Sequence, residues 1–512
     1  MKRKLFRLLP LMVAAVLFMV SCSSKDEGTF IPKSASFVCH IDVASLWEKG
    51  DLANADNLKM VQSMRQHLKS EDPEFDLLVG AILKDPNSCG IDFRQPVCYF
   101  EEVINPEYFW ISNDVISAKM NSRSDFDKFI ANLTKDRNEA IIHCDTLGMT
   151  AFYFTDYMMV AYNDNQLFII SDQAAMINDL VDEAEAMPDA QQYLAKLLNL
   201  KKDESMASNK NFDKYLDDRK DISVFMNYSN LIDDKNPFYG MLAKLYKKED
   251  LKQLKESSVC IFGSFEKGCI ELYSKTYGIP EVLAQFGNKT FNEKLLGYLP
   301  AQTLAAFTIG VDVDAIAEYL NASDEVNLDD PLGIKDYTIN DLLKALDGSI
   351  AASFYGMQEG MPYFAVAADL NNNQVIRDIL NEIAVNNGNV YTFDFFPMQL
   401  VVNDNVALLS TDPSVIANAQ AGGKSNGLMA VADKAKKGNF FYMDLNLQDW
   451  PTELLALIGL NNNPIANAIF AMFDRLEFET EHDGMNSKGA LYLSNKDINS
   501  LAYILQEVDK MN

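Results

Sequence analysis

The sequence has 512 residues, of which 48% are hydrophobic and 23% are charged. This composition excludes a disordered or fibrous chain, and the length suggests about three structural units. The 45 basic and 73 acidic residues give a formal charge of 45 − 73 = −28, which argues against nucleic acid as a partner because a negative field repels phosphate.

The first segment, residues 1–21, has the pattern of a secretory signal peptide. It carries four basic residues and no acid, so the rest of the chain holds −28 − 4 = −32 charges. Its apolar stretch over 8–20 is short for a membrane span. Ser21 precedes Cys22, and residues 19–22 resemble the lipobox of bacterial lipoproteins, in which the Cys is acylated. We therefore expect Cys22 to anchor the protein to a lipid bilayer, the alternative being a plain signal peptide with a coincidental Cys.

An acidic tether, residues 22–30, follows the signal peptide. Its segment SSKDE, residues 23–27, looks like the acidic export signal that follows the lipidated Cys in surface lipoproteins of the Bacteroidota. The resemblance implies an outer-membrane lipoprotein that faces outward. Because short acidic segments are also ordinary linkers, the periplasmic face of the membrane remains the alternative location.

From residue 31 onwards the chain alternates hairpin and helix patterns. In FVCHIDV the residues Phe37, Cys39 and Ile41 share one face, which is typical of a strand in an antiparallel sheet. Four strands end on an Asp or Asn that precedes a helical pattern. We expect these residues to accept N–H groups at the N-caps of the helices; they are Asp42, Asn227, Asp312 and Asp444.

The chain contains an internal repeat. Residues 158–172, MMVAYNDNQLFIISD, match residues 398–412, MQLVVNDNVALLSTD, and both contain the turn sequence Asn-Asp-Asn. The segment from Ala118 matches that from Ala368, and the segment from Ile31 matches that from Leu299. The order is kept throughout, so we interpret the pattern as a duplication. The predicted fold class is α+β, with tandemly duplicated units of antiparallel sheet and helices packed on one face.

The repeat also predicts the domain organisation. The signal peptide and the tether precede a first repeat half at 31–280, with sub-units at about 31–204 and 221–280. The second half covers 299–512, with sub-units at about 299–420 and 438–512.

Residues with the chemistry of catalysis or metal binding are few. Besides Cys22 the chain has six cysteines without CxxC spacing, and Cys39, Cys98 and Cys260 lie in apolar runs that are typical of buried thiols. His143 is next to Cys144, but adjacent residues on a strand point to opposite faces. Only four histidines are present, which weakens any catalytic triad that needs a His base.

Two motifs resemble ligand-binding loops without meeting their requirements. GGKSNG at 422–427 lacks the upstream Gly of a phosphate-binding loop. Asp369, Asn371 and Asn373 have the spacing that opens a calcium loop, but Gln374 stands where a Gly is needed. We interpret this cluster as a strand end and a helix cap. The sequence therefore predicts no catalytic, cofactor-binding or metal-binding residue and no cofactor.

The lipobox, the opening IPKSASFVCHID and the doubled layout resemble an uncharacterised family of Bacteroidota lipoproteins of about 500 residues. The family has no defined site residues, so none is assigned here. The leading hypothesis is an outer-membrane lipoprotein that works as a non-enzymatic module binding a protein or glycan. The alternatives are a hydrolase of extracellular polymers with a carboxylate pair and an envelope assembly or stress factor.

Overall fold

A computed structural model describes residues 27–71, 73–103, 112–134, 143–155, 158–171, 189–229, 232–236, 239–240, 243, 247–278, 286–287, 289–301, 303–321, 327–393, 396–421, 440–457, 464–481 and 484–511. The predicted signal peptide, Cys22 and the motif at 422–427 lie outside these residues. Two compact units make up the chain. Unit 1 comprises Met1–Lys267 with Asp497–Asn512, and unit 2 comprises Gly268–Lys496.

Unit 1 contains an antiparallel sheet whose described strands run in the spatial order β4-β5-β6-β7-β3-β2-β1-β8-β9. Their bounds are β1 Phe37–Ile41, β2 Val97–Val103, β3 Ser112–Lys119, β4 His143–Thr146, β5 Met149–Thr155, β6 Met158–Tyr162, β7 Gln166–Ser171, β8 Ile222–Asn227 and β9 Ser258–Glu266.

The antiparallel sheet of unit 2 has the order β14-β15-β16-β17-β13-β12-β11-β18-β19-β20-β10. Its described strands are β10 Cys269–Tyr277, β11 Ala305–Gly310, β12 Leu346–Gln358, β13 Met361–Leu370, β14 Val385–Asn387, β15 Val390–Phe393, β16 Phe396–Val402, β17 Val406–Ser410, β18 Phe441–Asn446, β19 Phe473–Thr480 and β20 Asn486–Leu493.

The described α-helices are α1 Val43–Lys49, α2 Lys59–Glu71, α3 Pro73–Lys84, α4 Arg123–Thr134, α5 Ala190–Leu198, α6 Lys210–Asp217, α7 Lys248–Leu254, α8 Val313–Asn321, α9 Ile339–Ala345, α10 Asn373–Ile383, α11 Pro413–Gln420, α12 Thr452–Leu457, α13 Pro464–Ala471 and α14 Ser500–Met511. Short 3₁₀ helices occur at Glu27–Phe30, Leu52–Asn57, Pro86–Cys89, Lys202–Glu204, Met206–Ser208 and Glu293–Tyr298. Within the described ranges, no helix combines the length and the apolar character that a membrane span requires.

The two units repeat one topology. Strand β4 of unit 1 corresponds to β14 of unit 2, β5 to β15, and so on to β9 and β19. The spatial order of these nine strands is the same in both units. All strand pairs within each unit are antiparallel, and helices alternate with hairpins along the chain. The α+β class of antiparallel sheets in duplicated units is therefore confirmed.

The turn sequence Asn-Asp-Asn makes the same hairpin in both units. It connects β6 to β7 in unit 1 and β16 to β17 in unit 2. In the first copy the Oδ1 atom of Asn163 accepts the N–H groups of Asn165 and Gln166, both at 2.9 Å. A short Asx side chain can close a turn in this way, which explains why the sequence match falls here.

Two of the predicted N-caps are confirmed directly. Asp42 accepts the N–H of Ser45 at 2.8 Å, and Asp312 accepts the N–H of Ala315 at 3.0 Å. The prediction for Asp444 was wrong. Asp444 lies inside β18, which continues to Asn446 and pairs with β19 along its length, so no helix begins directly after Asp444.

The helices of unit 1 pack on both faces of the sheet and not on one face alone, as we expected from the sequence, because both faces of its central strands carry buried side chains. Trp47 of α1 and Phe126 of α4 share an apolar cluster with Ile116 of β3. The opposite face carries His40, which contacts Tyr215 of α6. In unit 2 the 3₁₀ helix Glu293–Tyr298 and α11 pack on a sheet face of small side chains, which permits close approach. This face includes Ala306, Ala351, Ala365 and Ala367.

Candidate functional site

Around β11 and β18, the sheet of unit 2 has one buried face and one more exposed face. Along β11, Ala306 and Thr308 are buried at 1% and 2% exposure, whereas Phe307 between them is 42% exposed. The same alternation recurs in β18, where Tyr442 and Asp444 are buried and Met443 is only half-buried. Because successive strand residues point to opposite faces, one side of these strands is buried and Phe307 is exposed on the other side.

The strand register aligns the residues of the more exposed face in cross-strand rows. The middle row runs Leu272, Gly489, Phe478, Met443 and Phe307 across β10, β20, β19, β18 and β11. Leu272 is 48% exposed, so both ends of the row protrude.

Two further rows lie on either side of the middle row. One side contains Ile270, Leu491, Leu476, Leu445 and Ala305; the other contains Ser274, Ser487, Thr480, Phe441 and Ile309. We call these fifteen residues the open face. They include no Asp, Glu, Lys or Arg, although the chain as a whole has 118 such residues, 45 + 73. The open face is therefore an uncharged, mainly apolar surface on an acidic protein.

The reverse side of the same strands is charged. The guanidinium of Arg475 donates from Nε to Asp444 at 3.0 Å and lies 3.2 Å from Glu477. Glu479 lies opposite Lys488 in the register of β19 and β20. Cross-strand pairs of opposite charge stabilise the face of a sheet on which they lie. These strands therefore separate an apolar face from a polar one.

Unit 2 also has an open cleft of about 440 Å³ at the ends of its hairpins. Tyr363 and Phe393 contribute aromatic rings, and Gln358, Gln399 and Thr411 contribute neutral polar groups. The Tyr363 hydroxyl donates to the Gln358 side chain. Glu359, in the turn between β12 and β13, is the acidic residue that lines the cleft. The cleft suits a neutral polar ligand because aromatic and amide groups line it together.

A carboxyl pair lies in the sheet of unit 1. Glu101 and Asp114 are directly opposite in the register of β2 and β3. Asp114 accepts hydrogen bonds from Ser112 at 2.9 Å and from Tyr99 at 3.2 Å. Burial and the negative charge of Asp114 raise the pKa of Glu101. A hydrogen bond from Ser112 lowers this pKa, but by less. Glycoside hydrolases use a pair of carboxyl groups, so this pair is the candidate for acid–base chemistry among the residues named here.

The motif with calcium-loop spacing is a strand end and a helix cap, as interpreted from the sequence. β13 ends at Leu370, and Asn372 caps α10 by accepting the N–H of Gln374 at 3.0 Å. Asn371 donates to the carbonyl of Leu346 at 3.0 Å. His143 and Cys144 are neighbours on β4. Among the described residues, no three His, Cys, Asp or Glu side chains are grouped to hold a metal ion.

The cysteines in apolar runs differ in their burial. Cys98 and Cys260 are buried at 5% and 0% exposure, whereas Cys39 is only partly buried. Burial raises the pKa of the Cys39 thiol to about 11, so it is protonated and unreactive near neutral pH.

The open face was not anticipated as a site. The available signal was β11, AAFTIG, in which Phe307 and Ile309 alternate with the small residues Ala306 and Thr308. Such a strand has two faces without charge, and the small side chains of one face let packed helices approach closely. The larger side chains lie on the opposite face of the strand, where they can contact another protein surface.

The sequence profile of DUF4836, a domain of unknown function, matches residues 28–501. The chain belongs to this family. The DUF4836 match spans both units, and it confirms the prediction of an uncharacterised family. No match was found among curated protein sequences. A solved structure, crystal form I of TP0453, aligns with 79% of this chain and 99% of its own at 8% identity and a TM-score of 0.20.

Proposed function

We propose that this DUF4836 protein is an outer-membrane lipoprotein, acylated at Cys22 and facing outward, that works as a non-enzymatic interaction module. Its open face binds an apolar sheet face of a protein partner. The observation that carries the proposal is the uncharged patch with Leu272 and Phe307 protruding at 48% and 42% exposure.

The size of the open face supports this function. Five strands about 4.8 Å apart and three rows about 6.6 Å apart give a projected area of about 500 Å². The largest apolar patch on a monomeric protein is about 300–600 Å² and is often functional. The projected area of the open face is of the same order.

The charge distribution favours a protein over a lipid surface as the partner. Surfaces that lie on membranes usually combine apolar residues with Lys or Arg that bind anionic lipid. The three rows of the open face contain neither. When an apolar face of a protein binds the open face, water leaves both surfaces, and no charged group is left buried without a partner.

Crosslinking in intact cells tests the proposal. A photoreactive phenylalanine analogue replaces Phe307 in the full-length protein, and the same analogue at Glu479 serves as the control on the reverse side of the sheet. We expect a protein adduct from position 307 and none from position 479. Equal yields from both positions, or adducts with lipid alone, would contradict the proposal.

A hydrolase of extracellular polymers is the second candidate, and the Glu101–Asp114 pair favours it. If the pair is catalytic, purified protein hydrolyses a member of a polysaccharide panel, and Glu101→Gln reduces the rate at least about 100-fold. The matched control is Glu102→Gln, because Glu102 lies on the opposite face of β2 and accepts hydrogen bonds from Tyr193 at 2.7 Å and Lys196 at 2.6 Å. Equal rates for all three proteins would exclude this role for the pair.

A further inference from the structure

The open face alternates large and small side chains. Phe307 and Leu272 protrude, and the register partner of Leu272 on β20 is the small residue Gly489. Ala305 lies two residues before Phe307 on the same side of β11. Protrusions at Phe307 and Leu272 therefore stand beside shallow positions on one continuous surface. A surface that carries both knobs and hollows can fit a copy of itself.

We propose that the open face binds a second copy of this chain, sheet against sheet, about a two-fold axis. The inference rests on the proposed function and names its partner. In an isologous pair each residue of the patch contacts the patch of the other copy, so each Phe307 enters a hollow of its partner. Aligned sheets pack about 10 Å apart, with side chains of the two faces interdigitating.

Charge limits where two copies can meet. Each chain has a formal charge of −28, so most surfaces of two copies repel one another. The open face has no charged residue in its three rows, whereas the reverse side has Arg475, Glu477 and Lys488. Pairing through the open face therefore avoids both the repulsion of like charges and the desolvation of the ion pairs.

The area is sufficient for a pair of modest strength. Each copy contributes about 500 Å² in projection, so two copies bury about 1,000 Å² or more. A total of about 1,000 Å² is the lower limit for a specific interface. We therefore expect a reversible dimer.

The test uses the full-length lipidated protein in intact cells, expressed from two genes with different epitope tags. Position 307 carries the photoreactive phenylalanine analogue in one of the two proteins. We expect an adduct that contains both tags, and we expect Leu272→Glu in both copies to reduce its yield at least about tenfold because an unpaired charge would be buried. Glu479→Gln on the reverse side is the matched control and leaves the yield unchanged.

Each outcome decides between the two proposals. An adduct with both tags that is lost in Leu272→Glu supports the pair of identical chains. An adduct of position 307 with a different protein overturns this inference and leaves the proposed function standing. Adducts with both tags that form equally well from position 479 overturn the inference, because proximity on the membrane then explains them. The absence of any protein adduct overturns both proposals.

Discussion

The Nδ1 atom of His40 lies 2.8 Å from the phenolic oxygen of Tyr215. The Tyr215 hydroxyl donates to the carbonyl oxygen of Ser223, also at 2.8 Å, so Nδ1–H of His40 donates to Tyr215. His40 is 1% exposed. Burial and the positive charge of Arg219 hold the pKa of His40 well below its usual range. The folded protein therefore keeps this imidazole neutral.

The first prediction follows from that neutrality. The unfolded chain binds a proton at His40 near pH 6.5, whereas the folded chain does so only at lower pH. The contribution of His40 to stability is complete above pH 6.5 and is lost as the pH falls below it. We expect the free energy of unfolding in urea to decrease from pH 7.5 to pH 5, by up to about 1.4 kcal/mol per pH unit from His40 alone.

The control for this prediction is His40→Gln, which keeps a donor for Tyr215 and does not titrate. The other histidines are common to both proteins and cancel in the comparison. A variant whose stability has the same pH dependence as the wild type would contradict the assignment.

The second prediction concerns Asp221, which connects α1 to β9. Its side chain is 5% exposed, accepts the N–H of Phe265 at 2.7 Å and pairs with Lys49 at 2.7 Å. Asp221→Ala leaves a backbone donor unsatisfied and removes a partly buried ion pair. We expect a loss of about 3 kcal/mol in the free energy of unfolding.

Glu266→Gln is the matched control for Asp221, because Glu266 also contacts Lys49, at 3.1 Å, but its side chain is 45% exposed. Exposed ion pairs contribute about 0–1 kcal/mol. If the two variants lose equal free energy of unfolding, the burial of Asp221 does not add to the stability of the protein.

Local chemistry made part of this fold predictable from the sequence. The hairpin turn at Asn163 and the cap at Asp42 depend on residues two or three positions away, so a short window of sequence contains the whole interaction. Asp444 could not be assigned in the same way. Its partner Arg475 lies 31 residues further along the chain, and pairing of β18 with β19 creates the contact.

The open face could not be predicted for a related reason. Alternation in β11 indicates that Phe307 and Ile309 share a face, but the usual expectation is that the larger apolar side chains lie under the helices. The structure places the 3₁₀ helix Glu293–Tyr298 and α11 over the small side chains instead. Which face a helix covers depends on tertiary packing, and no single strand contains that information.

The third prediction concerns Gly348, whose φ is +101°. A Cβ atom there would lie 2.0 Å from the carbonyl oxygen of Val311, which is backbone and cannot rotate away. We expect Gly348→Ala to lower the free energy of unfolding by about 3 kcal/mol or more. At Gly360 φ is +80° and no atom lies within 4 Å of the added Cβ. Gly360→Ala should cost only about 1 kcal/mol, and equal costs would disprove the clash.

The fourth prediction tests the lipid anchor. Cys22→Ala removes the thiol that accepts the acyl groups, so we expect no incorporation of a palmitate analogue and loss of the protein from the outer-membrane fraction. Cys269→Ala is the control, because it removes a thiol in β10 and leaves the lipobox intact. A Cys22→Ala protein that still incorporates palmitate and partitions into detergent would refute the lipoprotein assignment.

The fifth prediction separates anchoring from orientation. If the acidic tether is the export signal, Asp26→Asn with Glu27→Gln should retain the lipid and lose exposure at the cell surface. Proteinase added to intact cells should then degrade the wild-type protein and spare the variant, while both are degraded after lysis. Asp404→Asn, in the exposed turn between β16 and β17, changes a similar charge elsewhere and should behave as the wild type. If the tether variant is degraded in intact cells as fast as the wild type, the tether is a linker and the signal for orientation lies elsewhere in the chain.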